Sequence, residues 1–310
     1  MQLPGSFTFN ISEEQGRVLK SRLAEDGFEF AELAHGHFLA SRRKCKVAYY
    51  KSGKLVVQGK DGPEWIEFSL EPFVLGEAKL GYDEVHDPAM FEPHFGVDES
   101  GKGDFFGPLV VAGAYVDRDL AYRLLDLGVK DSKKITSDRK AKELAGEIRK
   151  VLAGRCEVLA IGPERYNEMY GSFGNLNRML AWAHGRIIEL MKVRVPTCPR
   201  ALSDQFANPR LIERELEKKG IAIHLDQRTK AESDVAVAAA SILARAGFLE
   251  RLERLGKPLE LVLAKGASSL VKEQAVEIVQ KHGVESLAKV AKKHFKTFNE
   301  TVEAVRGRTI

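Results

Sequence analysis

Four acidic positions in this chain have the types and settings that metal-assisted chemistry requires. Two are adjacent, in Gly96-Val97-Asp98-Glu99-Ser100-Gly101-Lys102-Gly103-Asp104. An apolar strand that ends in Asp98-Glu99 and runs into a glycine-rich turn sets two carboxylates beside bare backbone amides. Neighbouring carboxylates repel each other unless a cation sits between them, and glycine lets backbone approach a ligand closely. A metal ion flanked by exposed amides suits a phosphodiester. The third acid, Asp204, ends the apolar stretch Ala201-Leu202-Ser203. The fourth lies in Lys230-Ala231-Glu232-Ser233-Asp234, directly ahead of Val235-Ala236-Val237-Ala238-Ala239-Ala240-Ser241-Ile242-Leu243-Ala244-Arg245. Small residues let that helix lie close against a sheet and hold a carboxylate at its start toward the other acids. Four acids gathered in this way hold two divalent cations about 4 Å apart, an arrangement that activates water and stabilises a leaving oxygen in phosphodiester hydrolysis.

Two other readings compete for the first motif. Gly96, Gly101 and Lys102 fall in register with a nucleotide-phosphate loop. However, position 103 is glycine where a magnesium-holding Ser or Thr belongs, and Asp98 and Glu99 put negative charge where phosphate would sit. Surface acids in an ordinary turn are the bland alternative, weakened by two further acids in matching contexts. Asp104 reads as structural.

The elements that must position these acids form an α/β layer. Pro108-Leu109-Val110-Val111-Ala112-Gly113-Ala114-Tyr115-Val116 is rich in β-branched residues and glycine and reads as a central strand. Helices are expected near 118–126, 138–152, 175–192, 207–218 and 235–255, and strands at 157–161, 201–203 and 221–223. The final 45 or so residues read as further helices. Residues 1–80 form a separate α+β unit: a strand at Phe7–Ile11, then Ser12 as cap of a helix through Leu23. A hairpin follows, from Val47–Tyr50 through Lys51-Ser52-Gly53-Lys54 to Leu55–Gln58. Trp65–Phe68 fits another strand or a short helix. Residues 81–92 read as a linker and 93–310 as the catalytic domain.

Composition narrows the class. The chain has 310 residues, 44% hydrophobic and 30% charged, with a net charge of +4, as for a globular protein with a proper core. No apolar run approaches the roughly 20 residues that span a bilayer, and Met1–Ser6 lacks the features of a signal peptide. A cytoplasmic protein without membrane association is expected. Cys45, Cys156 and Cys198 are scattered and read as idle thiols. Between Glu32 and Asp61 no acid occurs, whereas Arg42, Arg43, Lys44, Lys46, Lys51, Lys54 and Lys60 do. That patch suits a polyanion, with a solvated basic face as the alternative.

Taken together, Asp98–Gly103, Lys130-Asp131-Ser132-Lys133-Lys134, Asp204 and the Lys-Ala-Glu segment with its alanine-rich helix resemble the type 2 ribonucleases H over most of 93–296. Gly103-Asp104-Phe105-Phe106-Gly107-Pro108 is similar to the HIII branch, as are Tyr50–Lys54 and Gln58-Gly59-Lys60. The resemblance implies a ribonuclease H-like catalytic domain with a mixed sheet flanked by helices, and an N-terminal TATA-binding-protein-like hybrid-binding domain. It implies an endonuclease cutting the RNA strand of RNA/DNA hybrids to 5′-phosphate and 3′-hydroxyl ends, using Mg2+, with Mn2+ as an alternative.

The metal-holding acids implied are Asp98, Glu99, Asp204 and Glu232. The loop from Glu232 to the helix is one residue shorter than the pattern, so Asp234 stays open as the fourth. Ser100, Gly101, Lys102 and Gly103 would bind the RNA strand and read its 2′-hydroxyl, with Lys133, Lys134, Lys51 and Lys54 binding phosphates. Asn175, Asn177 and Arg178 fit either backbone contacts or a helix cap. His184 and His294 are expected to pack or hydrogen-bond rather than catalyse. A monomer is expected. Cleavage at single ribonucleotides in duplex DNA, as in the HII branch, and noncatalytic hybrid binding are the alternatives.

Overall fold

The computed structural model describes residues 6–76, 87–129, 137–229 and 231–307. The chain divides between Ala89 and Met90 into two compact units.

The first unit holds an antiparallel sheet in the order β1-β5-β4-β3-β2. Its strands are β1 (Ser6–Asn10), β2 (Glu29–Ala31), β3 (Gly36–Arg42), β4 (Cys45–Tyr50) and β5 (Lys54–Gln58). Ser12 caps α1 (Glu13–Glu25) in a reciprocal capping box with Gln15, so the helix starts where the cap and first-turn acids place it. Strand alternation sorts the sheet into two faces. Ala40, Val47, Tyr49, Leu55 and Val57 are buried with Leu19 and Leu23 of α1. Lys46 and Lys54 fall on the other, exposed face, and Lys51 is exposed in the hairpin turn. The segment after β5 is helical: α2 (Gly62–Trp65) continues as π-helical turns over Ile66–Leu75, burying Ile66, Leu70 and Val74. Trp65 supports that choice by donating from Nε1 to Asp26 Oδ2 at 2.7 Å.

In the second unit a mixed sheet runs β10-β9-β6-β7-β8. Strands β6 (His94–Ser100), β7 (Leu109–Val116) and β8 (Cys156–Ile161) are antiparallel neighbours. Strands β9 (Arg200–Asp204) and β10 (His224–Arg228) join parallel to β6. The helices are α3 (Arg118–Asp126), α4 (Asp138–Leu152), α5 (Pro163–Phe173), α6 (Leu176–Arg194), α7 (Arg210–Lys218), α8 (Val235–Gly256), α9 (Ser269–Val290) and α10 (Lys296–Arg306). α9 kinks at Gly283.

Helix α8 covers one face of β6 and β7, and α6 covers the other. A Cβ on Gly96 would fall 2.2 Å from the backbone of Ala236 and Val237. The start of α8 therefore lies on β6 at a distance only glycine permits, which is what its run of small residues allows. On the opposite face a Cβ on Gly113 would meet Ile187 and Met191 of α6 at 2.7 and 2.9 Å.

Two expectations need correction, and one helix goes unannounced in the sequence. The strand at 221–223 lies instead at His224–Arg228: Ile221 and Ile223 pack against the core from the preceding loop, while parallel pairing with β9 organises the more polar residues that follow. The pattern also does not announce α5, which Gly174 separates from α6 in a left-handed conformation. Finally, the linker is shorter at its far end. Met90 and Phe91 are buried in the core of the second unit, where Phe91 packs on Tyr122 at 4.9 Å. Residues 81–86 of the expected linker lie outside the described residues.

Candidate active site

The acids Asp98 and Glu99 sit one residue apart at the end of β6 and so leave the sheet on opposite faces. Asp98 is on the α8 side, where Ser241 of α8 hydrogen-bonds its carboxylate. Glu99 is on the α6 side, where Oε2 lies 3.1 Å from His184 Nε2. The parallel register pairs Val97 with Ser203. That puts Ser203 on the face of Glu99, and Asp204, at the end of β9, on the face of Asp98.

Electrostatics separate the two β6 carboxylates. Burial, and then the charge of Glu99, pushes Asp98 up to about 6. Burial works against the charge of Glu99 as well, but the His184 hydrogen bond and the ammonium of Lys102 outweigh it and hold Glu99 below its ordinary value. Lys102 Nζ lies 3.6 Å from Glu99 Oε1 and 5.4 Å from the centre of the Phe206 ring. That ring in turn packs on His184 at 4.9 Å.

Asp204 accepts from the backbone N–H of Ala231 through Oδ1 at 3.1 Å. This ties the end of β9 to the single 3-10 turn Ala231–Ser233 that carries Glu232. Glu232 is half-buried there. Asp234 is buried and otherwise engaged. Its Oδ1 accepts from Ala236 N at 2.8 Å and Val237 N at 3.3 Å, which makes it the N-cap of α8. His94 Nε2 lies 3.0 and 3.1 Å from its two oxygens.

The turn after Glu99 is held by its own glycine. Gly101 has φ +88, and a Cβ there would fall 2.2 Å from the Pro108 carbonyl oxygen. Ser100 and Lys102 are half-buried and Gly103 is exposed. Asp104 turns away into structure and accepts from Gly266 N at 2.6 Å. Asn175 caps α6 by accepting from Asn177 N and Arg178 N, which is one of its two expected roles. His294 stacks on Tyr170 at 4.5 Å. Lys130, Ser132, Lys133 and Lys134 lie outside the described residues.

Sequence reasoning leaves out Ser203, Ser241, His94 and Phe206. Ser203 and Ser241 sit inside the stretches already singled out for Asp204 and for the small-residue helix, whereas His94 and Phe206 have no motif around them, and strand pairing or helix packing gives all four their partners. Oxygen donors of this kind suit a hard divalent cation such as Mg2+ or Mn2+. Among the described residues, no three His, Cys, Asp or Glu side chains already converge on one point able to hold an ion. Glu99 is turned toward His184 and Lys102.

The comparisons with known proteins agree with this architecture. The family model described as Ribonuclease HII matches residues 95–298. A ribonuclease HIII from Protochlamydia amoebophila (strain UWE25) is 42% identical over 302 residues, covering 97% of each chain. The crystal structure of Bst-RNase HIII in complex with Mn2+ is similar with a TM-score of 0.69 at 29% identity, over 98% of this chain and 100% of that one. The RNase HII in the PCNA:RNase HII complex from Archaeoglobus fulgidus is 32% identical with a TM-score of 0.55, over 66% of this chain and 95% of its own. The Ribonuclease HII model thus matches within the second unit, whereas the HIII relatives cover nearly the whole chain. The chain belongs to the ribonuclease HII family and, within it, to the ribonucleases HIII.

Proposed function

We propose that the protein is a divalent-metal-dependent endoribonuclease that hydrolyses the RNA strand of RNA/DNA hybrids to 5′-phosphate and 3′-hydroxyl ends. The observation that carries this reading is the placement of Asp98 and Asp204 at the ends of two parallel strands, on one face, with the Glu232 turn tied to Asp204. Asp98, Glu99, Asp204 and Glu232 hold the metal, with Mg2+ favoured and Mn2+ an alternative. Asp234 is passed over because its oxygens cap α8 and face His94. When bound, the ions supply activation of the attacking water and neutralise charge at the leaving 3′ oxygen.

The protein's own groups do the rest. His184 orients Glu99 and keeps it ionised. Ser241 steadies Asp98. Ser100, Gly101, Lys102 and Gly103 bind the RNA strand, where backbone groups beside Gly103 meet the 2′-hydroxyl that distinguishes RNA from DNA. Gly103 is exposed, and a Cβ there would touch nothing within 4 Å. Lys133 and Lys134 bind phosphate. The first unit adds affinity through Lys51 and Lys54. The protein acts as a cytoplasmic monomer.

The test is a cleavage assay on a continuous RNA/DNA hybrid beside duplex DNA with one embedded ribonucleotide, run with Mg2+ and with Mn2+. Cutting at many positions of the hybrid is expected. Cutting only at the embedded ribonucleotide would assign HII-type specificity, and tight hybrid binding without cutting would make the protein a noncatalytic binder.

A further inference from the structure

We infer that Lys292 is a positioning residue that holds the Gly101–Gly103 turn in the geometry with which it engages the RNA strand; this rests on the role proposed above for that turn. Lys292 lies between α9 and α10 and has no exposed surface. Its Nζ donates to the backbone carbonyl of Asp104, the residue after Gly103, at 2.6 Å. Its backbone N–H donates to the Phe105 carbonyl at 2.9 Å.

The same short stretch is fastened at other points. Phe105 N donates to Gly266 O and Gly107 N to Val290 O, both at 2.9 Å, and Phe106 forms an isolated bridge with Ala291. The leg of the turn leading in is held by β6, paired with β7 as far as Ser100 and Val110. The leg leading out, Asp104–Gly107, is not part of either strand. Segments about 160 and 190 residues further along the chain fix it instead, and Lys292 is the one that grips it by a side chain.

The chemistry of the position argues against simple packing. Burial lowers the amine to about 7, against the opposing pull of Asp104. An apolar chain of similar length would fill the space without that desolvation, but it would not hold the Asp104 carbonyl. Groups that position a reacting strand tolerate little displacement, and a shift of about 1 Å costs on the order of 100-fold in rate.

The test compares steady-state hybrid cleavage, metal-free hybrid binding and thermal melting of the full-length protein with those of Lys292→Met. Leu287→Ala, at a buried position near the same helix end, serves as the packing control. For Lys292→Met a cooperative melt is expected, with kcat lowered about 10- to 100-fold while KM and hybrid affinity stay within about threefold. Leu287→Ala should lower the melting temperature with little change in kcat. Lys292→Gln, which keeps a shorter donor, should recover part of the lost kcat. Wild-type kcat in Lys292→Met, or an equal kcat loss in Leu287→Ala, overturns the inference. So does failure of both Lys292 variants to fold, which would make the residue structural. A wild-type protein that does not cut hybrids at all would overturn the proposed function instead, so the two failures are distinct.

Discussion

His184 and Glu99 are joined across the sheet surface by a 3.1 Å contact between Nε2 and Oε2, while His184 Nδ1 lies 2.9 Å from Ser203 Oγ. One buried imidazole on α6 therefore spans the ends of β6 and β9, the two strands that carry Asp98, Glu99 and Asp204. Nε2 faces the Glu99 carboxylate, and Nδ1 faces Ser203 Oγ, which also donates to the Asp204 carbonyl at 3.2 Å.

Replacing His184 should therefore weaken the site without removing a metal-holding acid. His184→Phe keeps the aromatic bulk and removes both polar partners. Its Mn2+ affinity, read by electron paramagnetic resonance, should fall about 10- to 100-fold together with activity. Wild-type Mn2+ affinity in a folded His184→Phe protein would show that Glu99 needs no such support.

The acids are expected to divide by role. Asp98→Asn and Asp204→Asn should nearly abolish cleavage yet leave metal-free hybrid binding measurable. Glu232→Gln should cost orders of magnitude in kcat. Asp234→Asn keeps a capping oxygen for Ala236 N and Val237 N, and Asn and Asp cap comparably, so stability should change little and activity per folded molecule should stay within a few-fold of wild type. Urea unfolding and single-turnover cleavage of the four variants check this. A catalytic collapse in Asp234→Asn beside a mild Glu232→Gln would exchange the two assignments.

Lys292 should give stability a distinct pH dependence. Its amine titrates near 7 in the folded protein against an ordinary 10.5. Between those values the unfolded chain binds more protons than the folded one, so stability rises with pH across that window, by at most about 1.4 kcal/mol per pH unit. Below about 7 the full cost of a charged buried amine is present. The melting temperature of Lys292→Met minus that of wild type should be largest near pH 6.5 and shrink toward pH 10. A constant difference would mean that the amine does not titrate in this range.

Deleting residues 1–80 should remove affinity rather than chemistry. Lys46 and Lys54 lie on the exposed sheet face and Lys51 in the hairpin turn. Their removal should reduce the log–log salt slope of hybrid binding by about one unit for each phosphate that is no longer neutralised. KM should rise strongly while cleavage at saturating hybrid persists in part. A folded truncated protein with the full-length affinity and salt slope would remove this role from the first unit.

Much of this protein was legible without coordinates, for local reasons. The cap at Ser12, the hairpin at Gly53, the β-branched run of β7 and the small-residue helix α8 each follow from residue conformational preferences or from periodicity. The acids Asp98, Glu99 and Asp204 stand out because each ends an apolar stretch. What the linear order does not contain is which side chains meet. Strand alternation sends Asp98 toward α8 and Glu99 toward α6, but His184 reaches Glu99 only because α6 crosses the back of the sheet. The ambiguity between Glu232 and Asp234, two residues apart, is likewise a matter of packing. The close approach of α8 to Gly96 commits Asp234 to the helix cap and to His94, 140 positions earlier in the chain. Lys292, an ordinary lysine in a basic stretch, becomes a buried clamp on Asp104 only when the chain's end folds back on the turn. Propensity is a property of neighbours in sequence, whereas burial and hydrogen-bond partnership belong to neighbours in space, and only the folded chain decides those.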